Sequence, residues 1–197
     1  MAKIKSAWEI AMERTENLDI DPVKLKNDAL IKKGKQLAGK FLNDITYHES
    51  ELKSELKKMK EEDKILAIEG IKSIILINIA LPNNDLFQDK NARLQELALL
   101  IRKDDNTTAT DAIAQLDTFY KQYFDNQDDL VDQLKKQFEP QLQQKSSQLS
   151  KQYGQEVHLS AEQDPEIMKI IQQQVKKLQD QYTQTLNSFK EQIAKSL

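Results

Sequence analysis

Residues 167 to 193 read IMKIIQQQVKKLQDQYTQTLNSFKEQI. Ile171, Val175, Leu178, Tyr182, Leu186, Phe189 and Ile193 recur there at steps of three and four, with Gln, Lys, Asp and Thr between them. Neither Gly nor Pro interrupts the run. This spacing predicts one long amphipathic helix with an apolar seam that lies along another helix. A seam of this kind makes a surface rather than a cavity, so its seven residues are the candidate partner interface.

The segment before it has a matching, less regular pattern. Ile113, Leu116, Tyr120, Tyr123, Leu130, Leu134 and Phe138 predict a helix that begins near Asp111, with Thr110 placed to cap it. The pattern is flawed at Gln127. Pro140 lacks an amide proton and crowds the preceding turn, so a kink or restart is expected there. Gly154 suits a helix C-cap. Either Ser160 with Gln163, or Asp164 with Pro165, starts the final helix. Nineteen glutamines fall between Gln115 and Gln192, against three before residue 104. Glutamine is a good helix former, and the enrichment reads as a solvated helical face.

The first half also predicts helices. Ser6 and Glu9 form a capping box for a short helix to Glu16, with Ile4, Trp8, Ala11, Met12 and Thr15 on one face. Asp21 and Pro22 begin a second helix. Its stripe is Val23, Leu30, Leu37, Phe41, Ile45, Leu52, Leu56 and Met59, and Gly34 and Gly39 provide for close packing or a bend. The polar run from Lys57 to Asp63 predicts a turn, although no Gly or Pro forces one and an unbroken rod stays open. Asp63 would cap the third helix, which reaches Ala80 and is apolar nearly all round, as a helix at a domain centre would be. Its β-branched residues also allow a buried strand. Leu81-Pro82-Asn83-Asn84 ends it. A fourth helix over Asp85 to Lys103 turns Phe87, Leu94, Leu97, Ala98 and Ile101 inward. The polar residues from Asp104 to Thr108 form the expected domain boundary.

Composition agrees with long helices. Four glycines and four prolines among 197 residues are too few for the turns of a sandwich, a barrel or an α/β fold. The absence of cysteine excludes disulfides, thiolate metal sites and a cysteine nucleophile. Three glutamates lie where a signal peptide would need its apolar core, and the apolar run from Ile65 to Leu81 contains Glu69, Lys72 and Asn78. A cytoplasmic location is expected. The net charge of −3 gives no global attraction to nucleic acid. Residues 1 to 103 carry 19 basic and 17 acidic residues, and residues 104 to 197 carry 10 and 15.

Two clusters bear on chemistry. Lys24, Lys26, Lys32, Lys33, Lys35 and Lys40 crowd one stretch, and Lys26, Lys33 and Lys40 share one side at seven-residue steps. They are candidate anion-binding residues for nucleic acid or an acidic membrane surface. His48, with Asp44, Glu51 and Glu55 near one helical face, is the candidate for a carboxylate metal site. The Glu-x-x-His motif of di-metal bundles is missing. Neither a glycine-rich phosphate loop nor a G-x-S-x-G turn occurs, so no catalytic, cofactor-binding or metal-ligating residue is assigned, and the expectation is a protein without enzymatic activity.

The opening IKSAWEIAMERTE (4–16) resembles the start of an uncharacterised family of small bacterial helical proteins of unknown function. GKQLA (34–38), FLND (41–44) and the Leu81-Pro82 helix end are similar to the next segments of that family, a likeness over roughly residues 4 to 100. It implies a bacterial cytosolic protein and transfers no activity and no site residue. The Gln-rich second half would be a variable extension.

The expected fold is all-α. It has an N-terminal helical bundle over residues 1 to 103 and a long antiparallel helical hairpin of coiled-coil character over residues 107 to 197. The expected function is non-enzymatic assembly or scaffolding through helix–helix contacts, with a protein partner or self-association.

Overall fold

The computed structural model describes residues 21–102 and 107–197. These residues are helical, with no strand among them. No helix among them is long and apolar enough to cross a membrane. The helix expected over Ser6 to Glu16, and most of the Asp104 to Thr108 boundary, lie outside the described residues.

Helix α1 spans Pro22–Asn43. Asp21 caps it as its spacing predicts, with the Val23 amide donating to Oδ1 at 2.9 Å. The expected continuation to Met59 does not occur. Asp44 stops the helix because its Oδ1 accepts both the Thr46 amide at 3.0 Å and the Thr46 hydroxyl at 2.6 Å. That local turn competes with the helical ladder. Helix α2 then covers Glu49–Lys57, and the His48 amide donates to Glu51 Oε2 at 2.7 Å at its start. The break expected after Lys57 is present, and α3 covers Glu61–Asn78. Asp63 is not its cap but lies inside its first turn. Nor is α3 buried on every side, since Ile65 and Ile77 are 61% and 66% exposed. The buried face is Ala67, Ile71 and Ile75, at steps of four, and Ile79 continues it just past the end of the helix.

The chain divides into two compact units between Ile74 and Ile75. In the first, α1 and α3 meet at their backbones. A Cβ on Gly34 would lie 1.8 Å from the Ala67 carbonyl oxygen, and one on Gly70 would lie 2.1 Å from that of Ile31. Two glycines therefore permit one crossing, each facing the other helix. Gly39 has no such role, because a Cβ there would meet nothing within 4 Å.

In the second unit, α4 covers Gln88–Ile101, α5 covers Thr108–Tyr153 and α6 covers Pro165–Ser196. Helix α5 packs against both α4 and α6. Of the kink or restart expected at Pro140, the restart does not occur: the 46 residues of α5 form one helix through it. Proline removes a single donor, and Lys136, whose carbonyl loses that bond, is exposed to water. Phe138 and Leu142 on either side are held in an apolar cluster. Gly154 closes α5 in the left-handed conformation, at φ 69°. Thr110 does not cap α5 but donates its hydroxyl to the Thr107 carbonyl at 2.7 Å from inside the helix. Both start signals of the last helix are used. Ser160 and Gln163 frame a 3-10 turn over Ala161–Gln163, and Asp164 caps α6 ahead of Pro165.

Candidate functional site

The seam on α6 packs against α5 of the same chain. Phe119 stands 5.1 Å from the Tyr182 ring and 5.6 Å from the Phe189 ring, centroid to centroid. Tyr123 lies 5.2 Å from Tyr182. Asn126 Nδ2 donates to Tyr182 Oη at 2.6 Å. Further along, Leu142, Ala161, Ile167 and Ile171 form a buried cluster, with Val131, Leu134, Phe138, Leu159 and Val175 against it. As residue numbers climb along α5, those of their partners fall along α6. Ile171, Leu186 and Ile193 are buried, and Val175, Leu178, Tyr182 and Phe189 are partly buried. The seam thus meets an apolar surface within its own unit, and its partner includes Phe119, which lies outside the α5 stripe read from the sequence.

Where the chain reverses, polar side chains hold it. The Val157 amide donates to Ser150 Oγ at 2.8 Å, and the Leu159 amide donates to Ser146 Oγ at 2.9 Å. Lys145 Nζ donates to Asp164 Oδ2 at 2.6 Å and to Glu166 Oε2 at 3.1 Å. Asp164 Oδ1 also accepts the Glu166 and Ile167 amides, at 3.0 and 3.2 Å. The Lys145 hydrogen bond is the main cause that lowers the Asp164 pKa. Glu162 is held down to about 2, first by its hydrogen bond from Lys135, whose Nζ lies 2.7 Å away. These contacts fix the tip, which also borders a cleft of about 390 Å³ whose lining includes Glu139, Ser147, Glu156 and His158.

Two of the three candidate anion-binding lysines have a partner within the chain. Lys26 Nζ lies 2.8 Å from Asp63, and Lys40 Nζ lies 4.2 Å from the centre of the Tyr47 ring. Lys33, like Lys24, Lys32 and Lys35, is exposed. The carboxylates near His48 are spread over other tasks: Asp44 on Thr46, Glu51 on the His48 amide and Glu55 on Lys58 at 2.7 Å. Among the described residues, no group of three His, Asp or Glu side chains is placed to hold a metal ion. His158 lies 3.3 Å from Glu156, with both exposed.

No curated protein and no solved structure matches the chain. A family match covers residues 53–195, which takes in the Gln-rich half and leaves outside it the opening motif that carried the first resemblance. The chain belongs to the family of unknown function DUF6657.

Proposed function

We propose that this is a bacterial, cytoplasmic, non-enzymatic assembly or scaffold protein that self-associates through helix–helix contacts. In this reading α5 and α6 form an antiparallel hairpin of coiled-coil character that follows an N-terminal helical bundle. The falling and rising residue numbers of the touching pairs support the antiparallel sense. The observation that carries the proposal is the burial along α5. Its 46 residues correspond to about 69 Å of helix. Beyond Tyr123 only Leu142 is buried. Roughly two turns in three of this helix therefore rest on one neighbour and keep the remaining faces open. Surface of that length and polarity suits a second helical molecule better than a small substrate. Tyr153 and Ile170 add exposed apolar groups, at 64% and 36%.

The test is crosslinking of an equimolar mixture of unlabelled and 15N-labelled full chains through lysine. Lys136, Lys151, Lys176 and Lys177 are exposed on the two long helices. Mixed-isotope crosslinks among them are expected. Crosslinks confined to single chains at high micromolar concentration would overturn the reading.

A further inference from the structure

The outer edges of α5 and α6 carry charge in complementary order. On α5, Lys121, Asp125, Asp132 and Lys136 follow at steps of four, seven and four, which puts them on one face. On α6, Glu166, Lys169, Lys176 and Asp180 follow at steps of three, seven and four, again on one face. The signs run plus, minus, minus, plus on the first helix and minus, plus, plus, minus on the second. All of these side chains are exposed.

Both faces point away from the contact between the two helices. Asp125 lies two residues after Tyr123, and Asp132 two before Leu134, both of which face α6. Lys169, Lys176 and Asp180 each stand two residues before a seam residue, namely Ile171, Leu178 and Tyr182. Two residues turn a helix by about 200°, so these charges project from the far side. They therefore do not meet within the chain. Among the described residues no ion pair engages Lys121, Asp125, Asp132, Lys136, Lys169, Lys176 or Asp180. At the tip, by contrast, Lys135 pairs with Glu162, and Lys145 with Asp164 and Glu166. Asp128 and Asp129 crowd the same α5 face as Asp125 and Asp132. Like charges three and four residues apart weaken a helix, so this face calls for positive charge from outside. The chain itself carries that charge, at matching spacing, on α6.

We propose that the outer edge of α5 docks on the outer edge of α6 of a second copy. This rests on the self-association reading and specifies its surface. In that register Asp125 and Asp132 meet Lys169 and Lys176, while Lys121 and Lys136 meet Glu166 and Asp180. The sign order is the same from either end, so charge fixes the register rather than the sense of the two helices. Sliding either helix by one turn brings like charges together, which makes the register specific. The two edges lie on opposite sides of the α5–α6 pair, so one contact leaves the other edge of each copy unfilled. The contact is heterologous and open, and it repeats into a row. An exposed ion pair contributes little singly, so the row needs its members together and is weak, concentration-dependent and sensitive to salt.

The test is sedimentation velocity of the full chain and of two double variants. Asp125→Lys with Asp132→Lys makes the α5 edge wholly basic. Lys169→Glu with Lys176→Glu makes the α6 edge wholly acidic. Each variant alone should self-associate at least about tenfold more weakly, and an equimolar mixture of the two should restore association. The wild-type chain should weaken by a similar factor between about 0.05 and 0.5 M salt, and its mass should pass that of two chains at high concentration. If a melting curve shows that a variant unfolds, the wild-type salt series decides. Association that ignores both the reversals and the salt would overturn this contact and leave self-association standing. So would a mass that stops at two chains. Single chains at every salt concentration would overturn both readings, even if added oligolysine bound the acidic edge.

Discussion

In the first unit two helices meet backbone to backbone, while in the second a longer pair is held apart by side chains. The α1–α3 crossing depends on Gly34 and Gly70, where a Cβ would fall 1.8 and 2.1 Å from carbonyl oxygens. The α5–α6 pair depends on aromatic rings 5.1 to 5.6 Å apart and on an aliphatic cluster near the reversal. The first contact has almost no room to adjust, because backbone atoms cannot move aside without breaking a helix. The second is spread over many side chains, each able to change rotamer. The same number of methyl groups added or removed should therefore have very different consequences in the two places.

Gly34→Val should have the largest effect. Its Cβ has no position that clears Ala67, and a loss of about 3 kcal/mol or more is expected in urea unfolding. Gly39→Ala is the matched control, since nothing lies within 4 Å of its Cβ. It should gain about 0.5–1 kcal/mol from helix propensity. Equal effects at the two glycines would break the comparison. In the second unit, Ile171→Ala removes a side chain that is 6% exposed and should cost about 2–4 kcal/mol. Tyr182→Phe deletes only the hydrogen bond from Asn126 and should cost about 0.5–1 kcal/mol in the same assay.

The smallest effect concerns acid. Glu162 and Asp164 both have folded-state pKa values below their ordinary ones. Groups of this sign contribute stability that is present above the unfolded pKa and is lost as pH falls through the folded one. For Glu162 that window runs from 4.5 down to about 2. Melting temperatures in this range should fall less steeply in Lys135→Met, which removes the first cause of the Glu162 shift. Parallel curves for the two proteins would show that the ion pair is not linked to folding.

The two regions also differ in how far their sequences disclose them. Helix α6 was legible because its seven seam residues repeat at one period over about six turns. Gly154 and Asp164-Pro165 were legible because left-handed caps and helix starts use few residue types. The Gly34–Gly70 crossing was not, because a glycine shows where a backbone can approach but not which one does. Gly34 and Gly39 look alike in sequence, and only one of them touches a neighbour. The break at Asp44 escaped for a different reason. It arises from a side chain capturing Thr46, and Asp is common enough in helices that no reading of periodicity separates the two. Phe119 was missed because α5 has two neighbours and so needs a wider apolar arc than a single stripe. Residues 116, 120 and 123 follow one period, and Phe119 with Asn126 extends the arc to meet Tyr182 and Phe189. Of the candidate surfaces, the seam was visible from its pattern. That it would meet α5 of its own chain depended on that second arc.

Since α5 already packs on the seam, the proposed self-association would depend on the outer faces of the two long helices. Multi-angle light scattering of the full-length chain, from low to high micromolar concentration, tests this most directly. The account predicts a mass that rises with concentration to at least twice that of the single chain. A mass fixed at the single-chain value across the whole range would contradict it.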